Sequence, residues 1–415
     1  MKFSKLSQLF LVSSIGLLVA TVFTACAITT IDYVFVACSA GSGTSSAGQI
    51  QTYAVDSQSG ALRNGAATVS SGGVNPVSMA VTSNYANLYV ANAGNSQTPS
   101  TIVHFAIGLH GELTSKDTFT QTVTPVAIAV NTAGTYLYVV AKQGSTGPFS
   151  AILMTFPLAS GAIGSLTTAP VLLNVGNDTI IPTGVTVLAN NNAVYVTAYD
   201  QSAYNPGCTP VSTCITSTAN PGWVFGFTVG SSGALTPATG SPWQAGIKPT
   251  AIAADPTNRF AYVTDYASDQ LIAYAIMGGN TLNFLPNGPF RTGNEPSAVI
   301  IDPRGKFIYV TNSLDSTVSP YEITLATGTP TGSVNPTGSA INSTDTQPVA
   351  VMIDPALGRF VYTANFLGNS VSGFRLDSTS GALSQTQATP YPTGFHPTAV
   401  IGGPHGNYST QSVAP

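Results

Sequence analysis

One phrase returns along the 415-residue chain: a proline, a short apolar strand, a turn, then a strand ending in Tyr-Val-Thr-Asn or a close variant. Complete copies read NPVSMAV…NLYVAN from Asn75, TPVAIAV…YLYVVA from Thr124, IPTGVTV…AVYVTA from Ile181, KPTAIAA…FAYVTD from Lys248, EPSAVII…FIYVTN from Glu295 and QPVAVMI…FVYTAN from Gln347. A seventh copy is split: HPTAVI begins at His396 near the C-terminus, and YVFVAC begins at Tyr33 near the N-terminus. A last repeat completed by the first residues of the chain predicts a closed ring. An open solenoid would instead need capping repeats at its ends.

The repeat prolines Pro76, Pro125, Pro182, Pro249, Pro296, Pro348 and Pro397 lie 47 to 67 residues apart, room for four short strands each. In the fifth unit Ser297 to Ile301 is short and apolar, as an inner strand covered on both faces should be. Asp302-Pro303-Arg304-Gly305 has turn chemistry, Phe307 to Thr311 reads as the second strand and Val318 to Ile323 as the third. A Ser-Gly-Ala-Leu turn recurs after the third strand, ending at Leu62, Leu235 and Leu383, its glycine suited to a tight reversal. No segment after the N-terminus has helical periodicity. The expected fold is all-β, a seven-bladed β-propeller of four-stranded blades, closed by the C-terminal strand joining the N-terminal blade. The domain plan is 1–25 signal peptide, 26–32 linker, 33–403 propeller and 404–415 tail.

Only 7% of residues are charged, against about 25% in ordinary soluble domains. Twelve Lys and Arg against sixteen Asp and Glu leave no basic patch, which argues against nucleic acid as a partner. Lys2 and Lys5 before the apolar run Leu9 to Phe23 read as an export signal. Ala25-Cys26 then resembles a lipoprotein cleavage site with Cys26 lipidated, although Phe23 stands where Leu is usual. The expected location is periplasmic or cell-surface, lipid-anchored or else secreted, with the membrane reached only through Cys26. Cys208 and Cys214, close together in a polar loop, read as a disulfide in an oxidising compartment. Cys38 reads as a buried apolar residue. No metal or cofactor is expected, and a monomer is.

The Tyr-Val-Thr-Asn phrases, the Asp-Pro turns and the Ser-Gly-Ala-Leu turns together resemble the YVTN-repeat, lactonase-family seven-bladed propellers, which include 6-phosphogluconolactonase-like proteins. The resemblance spans about residues 33 to 401. It implies either an exported propeller that binds a small-molecule, carbohydrate or protein ligand through its channel face, or a hydrolase of sugar or other lactones. The paired Pro-His steps of some catalytic members are absent here, where the steps read Lys248-Pro249-Thr250 and Glu295-Pro296-Ser297.

The residue before each repeat proline should ring the channel mouth: Asn75, Thr124, Ile181, Lys248, Glu295, Gln347 and His396. Lys, Glu, Gln and His on four consecutive blades stand out in so uncharged a chain. For lactone hydrolysis Glu295 or His396 would serve as the base and Lys248 as the oxyanion partner. The bland alternative is a set of solvated residues. The loops after the second strands give a second ring, Asn92, Tyr199, Asp200, Asp265, Tyr266, Asn312 and Asn365, of which Tyr199, Asp265, Asn312 and Asn365 join Gln347 as candidate ligand contacts. Asn and Asp at one repeat position also brace turns, and Asp265 is placed to pair with Lys248. The insertion from Asp200 to Gly222, with Tyr204, is long enough to shade the mouth or to bind a partner.

Overall fold

The computed structural model describes residues 29–41, 46–144, 149–166, 168–202, 204, 221–326, 329–338 and 342–406. The expected export signal, Cys26 and the Cys208–Cys214 pair lie outside the described residues. Seven antiparallel sheets account for nearly all of the regular structure, with one short 3-10 turn at Gly278–Asn280.

Each sheet is one blade. In the fourth, Pro249–Ala254 pairs with Phe260–Asp265, which pairs with Gln270–Ile276. The fourth strand is broken into two pieces, Leu282–Phe284 and Phe290–Arg291, both paired to the third. The same break recurs in five other blades, while Leu113–Gln121 of the first blade is unbroken. The seventh blade takes its inner strand, Pro397–Pro404, from the C-terminal end and lays it antiparallel to Thr30–Cys38. Register runs from Asp32 opposite Pro404 to Cys38 opposite Pro397. The blade's second strand begins at Thr30, inside the stretch read as a linker, with Ile31 and Asp32 fully buried.

The recurring residues have identifiable work between blades. The tyrosine of the second strand donates its hydroxyl to the turn of the next blade: Tyr89 to the Gly161 carbonyl at 2.6 Å, Tyr262 to Gly332 at 2.9 Å, Tyr309 to Gly381 at 3.0 Å and Tyr362 to Gly60 at 2.7 Å. At Gly60 and Gly381 the Tyr-Val phrase and the Ser-Gly-Ala-Leu turn are thus two halves of one buried contact, whereas the Tyr138 hydroxyl has no partner among the described residues. Nearer the axis, the hydroxyl after a repeat proline reaches the carbonyl of the next repeat proline. Thr183 bonds Pro249, Thr250 bonds Pro296, Ser297 bonds Pro348 and Thr398 bonds Pro76, all at 2.7–2.8 Å. The last of these, with Tyr362 to Gly60, closes the ring without a covalent link.

Apolar clusters fill the wedges between blades. One joins Val34, Val36 and Cys38 of the split blade to Met352, Phe360 and Tyr362 of the sixth. Another joins Phe35 and Ala37 to Met79, Leu88 and Val90 of the first. Each fully enclosed side chain contributes roughly 1.5–3 kcal/mol. Cys38 is a free, buried thiol whose pKa burial pushes up to about 11, as a small apolar residue would be placed.

Candidate ligand site at the channel mouth

In five blades the residue after the second strand donates its backbone N–H to the carbonyl of the residue before the repeat proline. The pairs are Ala93–Asn75, Tyr266–Lys248, Ser313–Glu295, Phe366–Gln347 and Ser39–His396, at 2.8–3.2 Å. Both candidate rings therefore open at the same end of the propeller.

Lys248 and Glu295, from adjacent blades, meet through Tyr266. The Tyr266 hydroxyl donates to Glu295 Oε2 at 2.6 Å, and Lys248 Nζ lies over the Tyr266 ring, 4.0 Å from its centre. Tyr204, from the insertion after Asp200, covers the same ammonium at 4.7 Å and packs edge-on against Tyr199 at 5.7 Å. Tyr199 and Tyr204 form a small apolar cluster with Ile181 and Ile247 beside the charged groups. A cation flanked by two aromatic faces gains about 0.5–2 kcal/mol from the ring quadrupoles, more as it is desolvated.

The electrostatics follow from burial. Burial lowers the Lys248 pKa from its ordinary value against the opposing pull of Glu295. Burial, and then the hydrogen bond to Glu295, pushes the Tyr266 phenol up, so it stays protonated and remains the donor. Burial, followed by Glu295, Tyr199 and Asp265, pushes Tyr204 up to about 12. An ammonium, a carboxylate and a phenol are held together between apolar walls. The set can donate to a carbonyl oxygen while accepting from a hydroxyl or a water.

Asp265 does not reach the Lys248 ammonium. Its carboxylate is fully buried and accepts the backbone N–H groups of Lys248 at 2.8 Å and Ile247 at 3.0 Å, and the Gln270 amide at 3.0 Å. Gly246, at φ 74°, makes room for this, since a Cβ there would lie 2.0 Å from Asp265 Oδ2. Asn312 and Asn365 are equally buried. The Asn312 amide donates to Thr317 and Ser319 at 3.0 and 2.8 Å, and that of Asn365 to Ser370 and Ser372 at 3.0 and 2.9 Å.

His396 lies apart from the Lys248–Tyr266–Glu295 group in its contacts. Its ring stacks on Phe395 at 3.6 Å and on Phe366 at 4.1 Å. Gln347 accepts from the Phe366 N–H and donates its own N–H to Ser316. Of the pre-proline residues, Lys248 and Glu295 are brought together, and the tyrosine that joins them follows a second strand, where the sequence offered it only among the loop residues. Among the described residues, no group of three or more His, Cys, Asp or Glu is placed to hold a metal ion.

Residues 229–408 match the sequence family described as "Lactonase, 7-bladed beta-propeller". No curated protein sequence matches the chain. Among solved structures, a putative 6-phosphogluconolactonase from Bacteroides uniformis superposes with a TM-score of 0.70 at 15% identity, covering 90% of this chain and 100% of that one. The periplasmic gluconolactonase PpgL of Pseudomonas aeruginosa gives 0.70 at 19%, covering 91% and 100%. A hypothetical selenium-binding protein from Sulfolobus tokodaii gives 0.64 at 12%, covering 94% and 97%, a measure of how widely this fold is shared. With seven blades closed into a ring, the protein is a seven-bladed β-propeller whose C-terminal blades, residues 229–408, are similar to the lactonase family.

Proposed function

We propose that the protein is exported and binds a small polar ligand, a lactone or related sugar ring, at the channel mouth around Lys248, Tyr266 and Glu295. The observation that carries this reading is the Lys248 ammonium held between Tyr204 and Tyr266 while Tyr266 donates to Glu295. Opposite charges kept together at a rim, in a chain only 7% charged, suit recognition of a ring that offers both a carbonyl and hydroxyl groups. Gln347 and His396, on the next two blades, are the further contacts proposed for the ligand. Asp265, Asn312 and Asn365 position the mouth from beneath, and Tyr199 supports Tyr204. Export rests on Lys2, Lys5 and the apolar run to Phe23, and the periplasmic location of the Pseudomonas neighbour is in keeping with it.

Calorimetric titration with sugar lactones and the corresponding aldonic acids tests the reading. Saturable binding that weakens at least tenfold in Lys248→Met and in Glu295→Gln supports it. Binding unchanged in both variants, or absent throughout the panel, removes the mouth as the site.

The Tyr266–Glu295 pair favours a second reading, lactone hydrolysis. Water would add to the lactone carbonyl carbon as Glu295 takes its proton. Lys248 would hold the oxyanion, the ring C–O bond would break, and the departing alkoxide would be protonated to give the hydroxy acid. Turnover above the spontaneous rate, lost in Glu295→Gln, supports this reading, and rates equal to buffer exclude it for the lactones used. A His396→Ala variant run beside it asks whether the stacked imidazole takes part: unchanged turnover removes it.

A further inference from the structure

A cavity of about 550 Å³ opens between the outer strands of the third and fourth blades; Lys248, Tyr266 and Glu295 do not line it, although Gln270 and Gly246, which touch Asp265, do. Trp223, Trp243, Gln244, Gln270, Tyr274 and Phe284 line it, and none of its lining residues is charged. It holds both tryptophans of the chain.

Two of these aromatics break the repeat. Trp223, the third-strand residue opposite Gln244, occupies a place taken elsewhere by Gln49, Ile152, Gln270, Thr317 and Ser370. Phe284, opposite Tyr274, stands where other blades have Asn64, Pro237, Pro336 and Gln385. Blade packing therefore requires no aromatic at either position, since an aliphatic, polar, small or proline residue serves in the other blades. The two substitutions fall on opposite walls of one cleft, and Phe284 remains 49% exposed.

The walls are also held in place. Trp243 lies on Gly226, where a Cβ would come within 2.5 Å of the indole, and it is 6.4 Å from the Tyr195 ring. The Tyr274 hydroxyl bonds the Gln244 carbonyl, and its ring meets Phe284 edge-on at 5.9 Å. The exposed Gln244 amide has no hydrogen-bond partner among the described residues. Fixed aromatic faces with amides at the edge match a ligand having apolar C–H faces and a rim of uncharged hydroxyls. Preorganisation removes much of the ordering such binding would otherwise require.

We propose that this cleft is a second binding site, for a neutral saccharide, independent of the ligand at the mouth. The stacking surface is Trp223, Trp243 and Phe284, with Gln244 as the hydroxyl partner.

The test uses the intrinsic fluorescence of the purified protein, because the only two tryptophans lie in the cleft. Cellohexaose, xylohexaose and isomaltohexaose are titrated to millimolar concentration. We expect a saturable change with at least one, weakened about tenfold or more in Phe284→Ala and severalfold in Gln244→Ala, with Lys248→Met behaving as the parent. Phe284 is half exposed and Gln244 exposed, so unfolding midpoints near the parent are expected for both variants. No saturable response, or a response unchanged in both variants, overturns the proposal. Binding of a proline-rich peptide with no saccharide response overturns it equally, since such segments also dock in aromatic grooves.

Discussion

Lys248 and Glu295 occupy the same repeat position on neighbouring blades, yet the fold holds them differently. The Glu295 N–H donates to Asp269 in the turn of the preceding blade at 2.8 Å. His396 is held in the same way by Asn369 at 2.8 Å, and Gln347 more loosely by Ser316 at 3.4 Å. Holder and held residue are all left-handed, with φ between 47° and 59°. Lys248 lies outside this set. The blade before it carries the insertion after Asp200 in place of that turn, and Asp265 of its own blade takes the Lys248 N–H instead. Aspartate stands here where Asn92, Asn312 and Asn365 stand in other blades, because both of its oxygens receive N–H donors. The insertion thus releases Lys248 from the blade-to-blade tether and supplies Tyr204 to cover its ammonium.

The turns after the inner strands offer a parallel contrast. Asp255 pairs with Arg259 at 3.1 Å and Asp302 with Arg304 at 3.3 Å. Burial alone would raise Asp255, but Arg259 and Thr257 outweigh it and hold the carboxyl below its ordinary range. Asp354 accepts the backbone N–H groups of Leu357, Arg359 and Phe360, and beside it lies another carboxyl, Asp32 of the closing blade. Asp32 is fully buried and neither oxygen has a partner in full hydrogen-bond geometry among the described residues, though the Asp354 carboxyl and the Ala356 N–H are close enough to interact. Burial and then the charge of Asp354 raise Asp32 well above its ordinary value, and burial raises Asp354 to about 6.

The largest expected effect breaks this second comparison. Both folded pKa values at the joint are raised, so their stabilising contribution is present in full below the ordinary aspartate range near pH 4. It is lost as pH rises through the folded values, from about 4 to about 6 for Asp354 and higher for Asp32. Asp32→Asn supplies an uncharged amide donor and should raise stability at pH 7 while flattening the fall from pH 4 to 7. Urea unfolding of parent and variant across that range measures it, and parallel curves would refute it.

Next in size is Asp265→Asn, which turns an amide donor toward N–H groups that need acceptors. It should destabilise by about 2–3 kcal/mol and weaken ligand binding at the mouth, whereas an equally stable variant would mean that Asp265 is not the brace. Asp269→Ala removes the tether from Glu295 alone. We expect about 1 kcal/mol, with the amide exchange rate of Glu295 rising and that of Lys248 unchanged. Smallest is Tyr204→Phe, which keeps the ring over Lys248. Stability should stay within about 0.5 kcal/mol of the parent, while Tyr204→Ala should weaken mouth binding severalfold. Equal effects from the two would assign the role to the hydroxyl.

Much of the architecture was open to reading because each blade repeats its local chemistry. Pro-Thr or Pro-Ser steps, Asp turns and alternating second strands state their own positions, and the split copy from His396 and Tyr33 announces closure. The direction of the mouth followed from the same phase, which is why Lys248 and Glu295 could be named. Tyr266 was visible only as one of several loop residues, and Tyr204 only as part of a long insertion. Whether they meet a given lysine depends on how adjacent blades are rotated. Trp223 and Phe284 were overlooked for another reason: each looks like an ordinary strand aromatic until the paired registers of the blades are laid side by side.

By itself the sequence determined blade number, strand order, the face of the mouth and the non-covalent closure, since these depend on periodicity and turn chemistry within one repeat. Only the tertiary structure decided which rim side chains share a site, that Asp265 braces a backbone rather than an ammonium, and that Asp32 faces Asp354. Those outcomes arise between blades, where the rotation of one sheet against the next brings together residues that no local pattern relates.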